Sequence, residues 1–67
     1  MQKIKIGFDA GKLYKLIEEK QAIKIIDLKK VTKMEIKDIY MALGWLAREN
    51  KVHFFEMDGE MAVNLIY

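Results

Sequence analysis

Few side chains in this sequence could carry out covalent chemistry. The 67 residues include no Cys and no Ser, with Thr32 and His53 the single Thr and His. A Ser or Cys nucleophile is therefore absent. A Cys-based zinc site is excluded, and one His leaves too few ligands for other zinc sites. His53 has no sequence-near partner that would make it a base or a ligand, and it reads as an exposed strand histidine. Glu56, Asp58 and Glu60 bracket a turn, but their spacing matches no EF-hand calcium loop and suits solvated turn charges. No enzymatic activity, cofactor, metal or small-molecule ligand is expected.

Charge suggests a binding role instead. Net charge is +2, with a pI near 8.9. Residues 1–33 carry nine Lys against four acids, which gives +5. Residues 34–67 carry three basic residues against six acids, which gives −3. Lys29, Lys30, Lys33 and Lys37 form the densest basic cluster, and Arg48 lies further along. Such groups could neutralise phosphates; they also suit the solubilising coat of a small domain. Trp45 and Met41, one helical turn apart, offer an apolar anchor of the kind found at protein interfaces.

The elements that position these residues follow from periodicity. Hydrophobic residues make up 52% and charged residues 33%, values typical of a folded domain. The length suits one domain, 1–67. The longest uncharged run, Ile39 to Ala47, is nine residues, against about 20 for a membrane span. The first residues lack the apolar core of a signal peptide, so a cytoplasmic location is expected. Ile4 and Ile6 alternate with Lys3 and Lys5, which predicts a short edge strand or extended arm ended by Gly7. Ala10, Leu13, Tyr14 and Ile17, widened by Leu16, predict a first helix over about Asp9 to Lys20 with Asp9 as N-cap. Gly11 inside it fits either close approach of another backbone or simple tolerance near a helix start.

Gln21 to Lys24 reads as a short strand with Ile23 inward, and Ile25 to Thr32 as a second helix with Ile25, Leu28 and Thr32 on one side. Val31 to Met34 reads as a turn, with Met34 plugging the core. Ile36, Ile39, Tyr40, Leu43, Leu46 and Ala47 form one stripe of a third helix, ended by Asn50 in a left-handed cap. Asp58-Gly59 between two strand-like runs, the second reaching Tyr67, predicts a type I′ hairpin. The two-residue loop pairs Met57 with Glu60, Phe55 with Ala62, Phe54 with Val63, His53 with Asn64 and Val52 with Leu65. Val52, Phe54, Met61, Val63 and Leu65 then share the core face, and His53, Phe55, Met57, Ala62, Asn64 and Ile66 the other.

Helix, strand, helix, turn, helix and hairpin is the order of a winged helix-turn-helix domain, an α+β and mainly α fold. The residues carry the resemblance further. Gly7 to Tyr14, Leu28 to Thr32 and above all Ile39 to Val52, with its Ala-Leu-Gly-Trp-Leu-Ala-Arg run, resemble a family of small stand-alone bacterial and archaeal winged-helix proteins that have no assigned biochemical role. The chain departs from the usual pattern at Lys24, where a small polar cap is common, at Lys33, where Gly is usual, and at Glu35, where Ser or Thr is usual.

The resemblance implies double-stranded DNA as a partner, through Lys29, Lys30, Lys33, Lys37 and Arg48. Against it, residues 35–49 sum to −1 and the hairpin 51–67 to −2, with Glu56, Asp58 and Glu60 at the wing tip. Projection of the third helix places Met41 and Trp45 in the middle of its outward side. The alternative is therefore a homodimerising interaction module with Met41, Trp45, Phe55 and Met57 in the contact. A chain this short buries only about 60% of its unfolded surface, which favours a partner subunit.

Overall fold

The computed structural model describes the backbone of residues 2–66 and the side chains of residues 5–66. Helix α1 spans Gln2–Lys20, strand β1 Ala22–Lys24, helix α2 Ile25–Thr32, helix α3 Ile36–Arg48, strand β2 Val52–Met57 and strand β3 Glu60–Leu65. The three strands form an antiparallel sheet in the order β1-β3-β2. The fold is a winged helix-turn-helix in which α2 and α3 form the helix-turn-helix and β2-β3 the wing.

Residues 2–7 correct the sequence reading. They form neither strand nor arm; the helix is already established at Gln2 and passes through Gly7 and Gly11 without a break, and Met1 lies outside the described residues. Alternating Ile and Lys suits a helix equally well when the next turns continue the stripe, and Ala10, Leu13 and Ile17 do so, all buried. Asp9 is consequently no cap. It lies inside α1 and accepts a hydrogen bond from Lys5 Nζ at 2.8 Å. An i,i+4 pair of this kind supports the helix over the segment where a break was expected.

The three helices all leave through left-handed residues that are not glycine: Gln21, Lys33 and Asn50. Asn50 closes α3 as a Schellman motif. The Lys51 N–H donates to Leu46 O at 2.9 Å and the Asn50 N–H to Ala47 O at 3.0 Å. Between α2 and α3, Thr32 braces the turn: its hydroxyl donates to Leu28 O at 2.7 Å and accepts from the Met34 N–H at 3.1 Å. Neither Lys24 nor Glu35 makes a side-chain cap. At the start of α3 the Asp38 N–H donates to Glu35 O at 3.0 Å, which satisfies one first-turn donor beside the ordinary first helical bond from the Ile39 N–H to the same oxygen.

The core joins Ala10, Leu13 and Ile17 of α1 to Ile25 and Leu28 of α2, Ile39, Ala42, Leu43 and Leu46 of α3, and Ile23, Val52, Val63 and Leu65 of the sheet. Met34 packs against it, as the gap-filling reading expects. The hairpin has the predicted register throughout. Asp58 and Gly59 both have positive φ, 54° and 80°, as a type I′ turn requires.

Burial differs from expectation at five apolar positions. Ile36 and Tyr40 are exposed, because the buried stripe of α3 runs through Ala42 rather than through them. Met61, expected in the core, is exposed near the wing tip. Ala62, expected on the outer face, is fully buried. It sits in the central strand opposite both Lys24 and Phe55, and larger neighbours on two sides cover its methyl group.

Two glycines make the backbone logic testable with the same substitution. Gly59 needs its positive φ, so Gly59→Ala is expected to lower stability by about 1 kcal/mol. Gly44 is exposed within α3, and a Cβ there meets nothing within 4 Å. Gly44→Ala is therefore expected to raise stability by about 1 kcal/mol. Urea unfolding of both variants measures the opposite signs.

Candidate nucleic-acid interface

The orientation of α3 follows from its buried residues. With Ile39, Ala42, Leu43 and Leu46 inward, a rotation of roughly 100° per residue puts Lys37, Met41, Gly44 and Arg48 along the outward line. All four are exposed. Trp45 is not in the middle of that line. It stands on the flank toward α1, where it borders a shallow groove with Gly7, Ala10, Gly11, Tyr14 and Glu49. The opposite flank carries Ile36 and Tyr40, which line a groove with Ile26, Lys29 and Met61.

This rotation changes the meaning of the helix's negative sum. Asp38 lies on the α1 flank, half-buried, with Lys5 Nζ 3.4 Å from its carboxylate. The hydrogen bond to Asp9, with Asp38 adding to it, raises Lys5 above its ordinary pKa of 10.5. Glu49 follows the end of the helix and borders the Trp45 groove. No carboxylate occupies the outward line, which has a cation near each end. Lys37 and Arg48 are eleven positions apart, so the line is roughly 16 Å long at the α-helical rise.

The cations of α2 stand next to it. Lys29, Lys30 and Lys33 gather around one shallow groove with Ile26. Lys33 owes its place to the helix exit: at φ 63° its N–H donates to Lys29 O, and its side chain is exposed in the turn. Lys29 also borders the groove beside Ile36 and Tyr40, which brings the α2 cluster to the edge of α3. The structure thus collects Lys29, Lys30 and Lys33 into one cluster and sets Lys37 and Arg48 along the neighbouring helix.

The other residues singled out in the sequence are more dispersed. Met41 and Trp45 are exposed on α3. Phe55 and Met57 are half-buried on β2. Phe55 stacks on His53 with ring centroids 6.0 Å apart, and Met57 borders a groove with Lys24, Asp27, Lys30 and Val31. Among the described residues no His, Asp and Glu cluster is placed to hold a metal ion. Phe8 was not singled out in the sequence because it falls between the expected arm, ended by Gly7, and the expected helix start at Asp9. On a helix that starts at Gln2 it points into solvent and is 75% exposed.

The acidic wing tip is tied to β1. Lys24 Nζ donates to Glu60 Oε1 at 3.2 Å and lies 3.6 Å from Asp58 Oδ2. Lys24 therefore replaces the missing helix cap with an anchor for the wing.

Comparisons with known proteins agree with this architecture. Winged helix-turn-helix is the class that the fold defines. Residues 1–65 match the family described as a winged helix-turn-helix domain (DUF2582), and the chain belongs to that family. It is 36% identical over 63 residues to the uncharacterized protein MJ1608 of Methanocaldococcus jannaschii, covering 91% of this chain and 90% of that protein. It is also similar to the solution NMR structure of protein BT2368 from Bacteroides thetaiotaomicron, with a TM-score of 0.85 and 32% identity over 97% of this chain and 79% of the other. Winged helix-turn-helix domains commonly bind DNA. No described helix is long and apolar enough to cross a membrane.

The wing anchor has a defined pH response. The hydrogen bond to Glu60, aided by the charges of Glu60 and Asp58, raises the Lys24 pKa from its ordinary 10.5. A raised lysine contributes stability that is complete below its unfolded pKa and is lost as pH rises through the folded one. Amide exchange at Asp58 to Glu60, corrected for intrinsic rates, is expected to stay level up to about pH 9 and to accelerate above about pH 10.5. Lys24→Met is expected to show the faster wing exchange at neutral pH, with core amides unchanged.

Proposed function

We propose that this chain is a non-enzymatic, cytoplasmic DNA-binding domain, 1–67, that regulates transcription. The outward line of α3 faces the major groove, and the α2 cluster lies along the phosphates. The observation that carries this reading is the outward line itself: Lys37, Met41, Gly44 and Arg48 without a carboxylate, beside Lys29, Lys30 and Lys33. Exposed Gly44 leaves room for close approach of a DNA edge. Three of the acids that argued against DNA in the linear sequence are paired off this line, Asp38 with Lys5 and Asp58 and Glu60 with Lys24.

Self-association is a second reading. It is favoured by the exposure of Met41 and Trp45 on α3, 46% and 36%, in a small chain with no disulfide. The two readings are compatible, since many winged-helix and other helix-turn-helix proteins bind duplex DNA as symmetric pairs.

Titration of duplex DNA across a salt series tests the DNA reading. With the five cations engaged, log K is expected to fall with log salt at a slope of about −4.5. Neutralising any one of Lys29, Lys30, Lys33, Lys37 or Arg48 is expected to reduce the slope by about 1. Absence of salt-dependent binding even at low ionic strength would refute the proposal.

A further inference from the structure

We propose that α1 carries a self-complementary face on which a second copy of this chain docks, α1 against α1 and parallel, about a twofold axis running along the helices. This deepens the self-association reading and moves its centre from α3 to α1.

The first observation is a pair of glycines that nothing inside the chain explains. Gly7 and Gly11 lie in the interior of a 19-residue helix, where glycine is weaker than alanine. Neither has a positive φ, and a Cβ built at either meets nothing within 4 Å. The second observation is independent of the first. Phe8, between the two glycines in sequence, is 75% exposed, the most exposed large apolar side chain among the described residues.

These residues fall on two adjacent stripes. Phe8, Lys12, Lys15 and Glu19 recur at i, i+4, i+7 and i+11 and form a projecting stripe with two cations in its middle. Gly7, Gly11, Tyr14 and Glu18 recur at i, i+4, i+7 and i+11; the two glycines make the first half of this stripe a recess, and an exposed carboxylate ends it. The glycines border both the groove flanked by Phe8, Lys12 and Lys15 and the one walled by Trp45. Lys12, Lys15 and Glu18 form no ion pair among the described residues.

A twofold axis parallel to α1 exchanges the two stripes between copies. Each Phe8 then enters the gap between the partner's Gly7 and the partner's Gly11 at its own height along the axis. The same operation brings Lys15 to the partner's Glu18. Apolar knob to recess and cation to carboxylate are satisfied together, and reciprocally, as an isologous interface requires. An antiparallel pair would instead set the Phe8 stripe against itself and leave the glycine recess unfilled. Nucleic acid would meet two carboxylates, Glu18 and Glu49, against one cation, Lys51, along the recessed side.

Sedimentation equilibrium of the full chain tests this. The wild type is expected to be a reversible dimer. Gly7→Ala with Gly11→Ala is expected to stabilise the monomer while weakening the dimer at least tenfold, a combination that loss of fold cannot produce. Phe8→Ala is expected to weaken the dimer with unchanged circular dichroism. Lys15→Glu and Glu18→Lys are expected to weaken it singly and to restore it when combined. A monomeric wild type at sub-millimolar concentration would overturn both the α1 face and self-association. A dimer indifferent to the α1 variants would overturn the α1 face and leave self-association standing.

Discussion

The packing of α1 across α3 is the contact on which the rest of this molecule depends. A chain of 67 residues without a disulfide has one small core. Ala10, Leu13 and Ile17 supply one side of it, and Ile39, Ala42, Leu43 and Leu46 the other. Once that stripe of α3 is buried, its rotation is no longer free. Lys37, Met41, Gly44 and Arg48 must face out, while Trp45 and Asp38 must lie toward α1. The sheet closes the remaining side with Val52, Val63 and Leu65. The position of every candidate DNA contact on α3 is thus a consequence of hydrophobic packing, and Lys5 reaching Asp38 records the same orientation in charge.

Much of this was legible because local signals and burial agree. Helix α2 has the bounds its stripe predicts, and the Asp58-Gly59 turn determines every pair of the hairpin. Asn50 announces the end of α3 because few residues other than glycine enter the left-handed region readily. The misses have a common cause, which is tertiary context. Period two in Lys3 to Ile6 is too short to distinguish strand from helix, and the deciding residues lie further along α1. Ala62 is small enough for its two strand neighbours to cover, a fact that depends on β1 joining β3. Trp45 was misplaced because a helical projection drawn from Ile36 and Tyr40 is rotated relative to one drawn from Ala42.

Charge shows the same dependence on placement. The front half of the chain is basic and the back half acidic, yet cross-chain pairs redistribute those sums. Lys5 and Lys24 come from the basic half and meet Asp38, Asp58 and Glu60 of the acidic half. Pairing leaves the cations of α2 and α3 without carboxylate partners among the described residues. Exposed pairs of this kind contribute little to stability. Their consequence here is to determine which charges remain available to a partner.

The residues that break local rules differ in how the break is compensated. Lys24 lacks the capping side chain that a helix start favours, and the loss is offset inside the chain by its hold on the wing. Lys33 occupies a left-handed position where glycine would be less strained, and nothing inside the chain requires the lysine; its charge joins Lys29 and Lys30 at the surface. Gly7 and Gly11 weaken a helix and serve no turn or close contact within the monomer. Where local preference and fold conflict without compensation inside the chain, the compensation is sought at a functional surface. By that criterion Lys33 points to a polyanion and the two glycines to an apolar partner. These are different surfaces, one on α2 and the turn and the other on α1, so occupation of one does not require vacating the other.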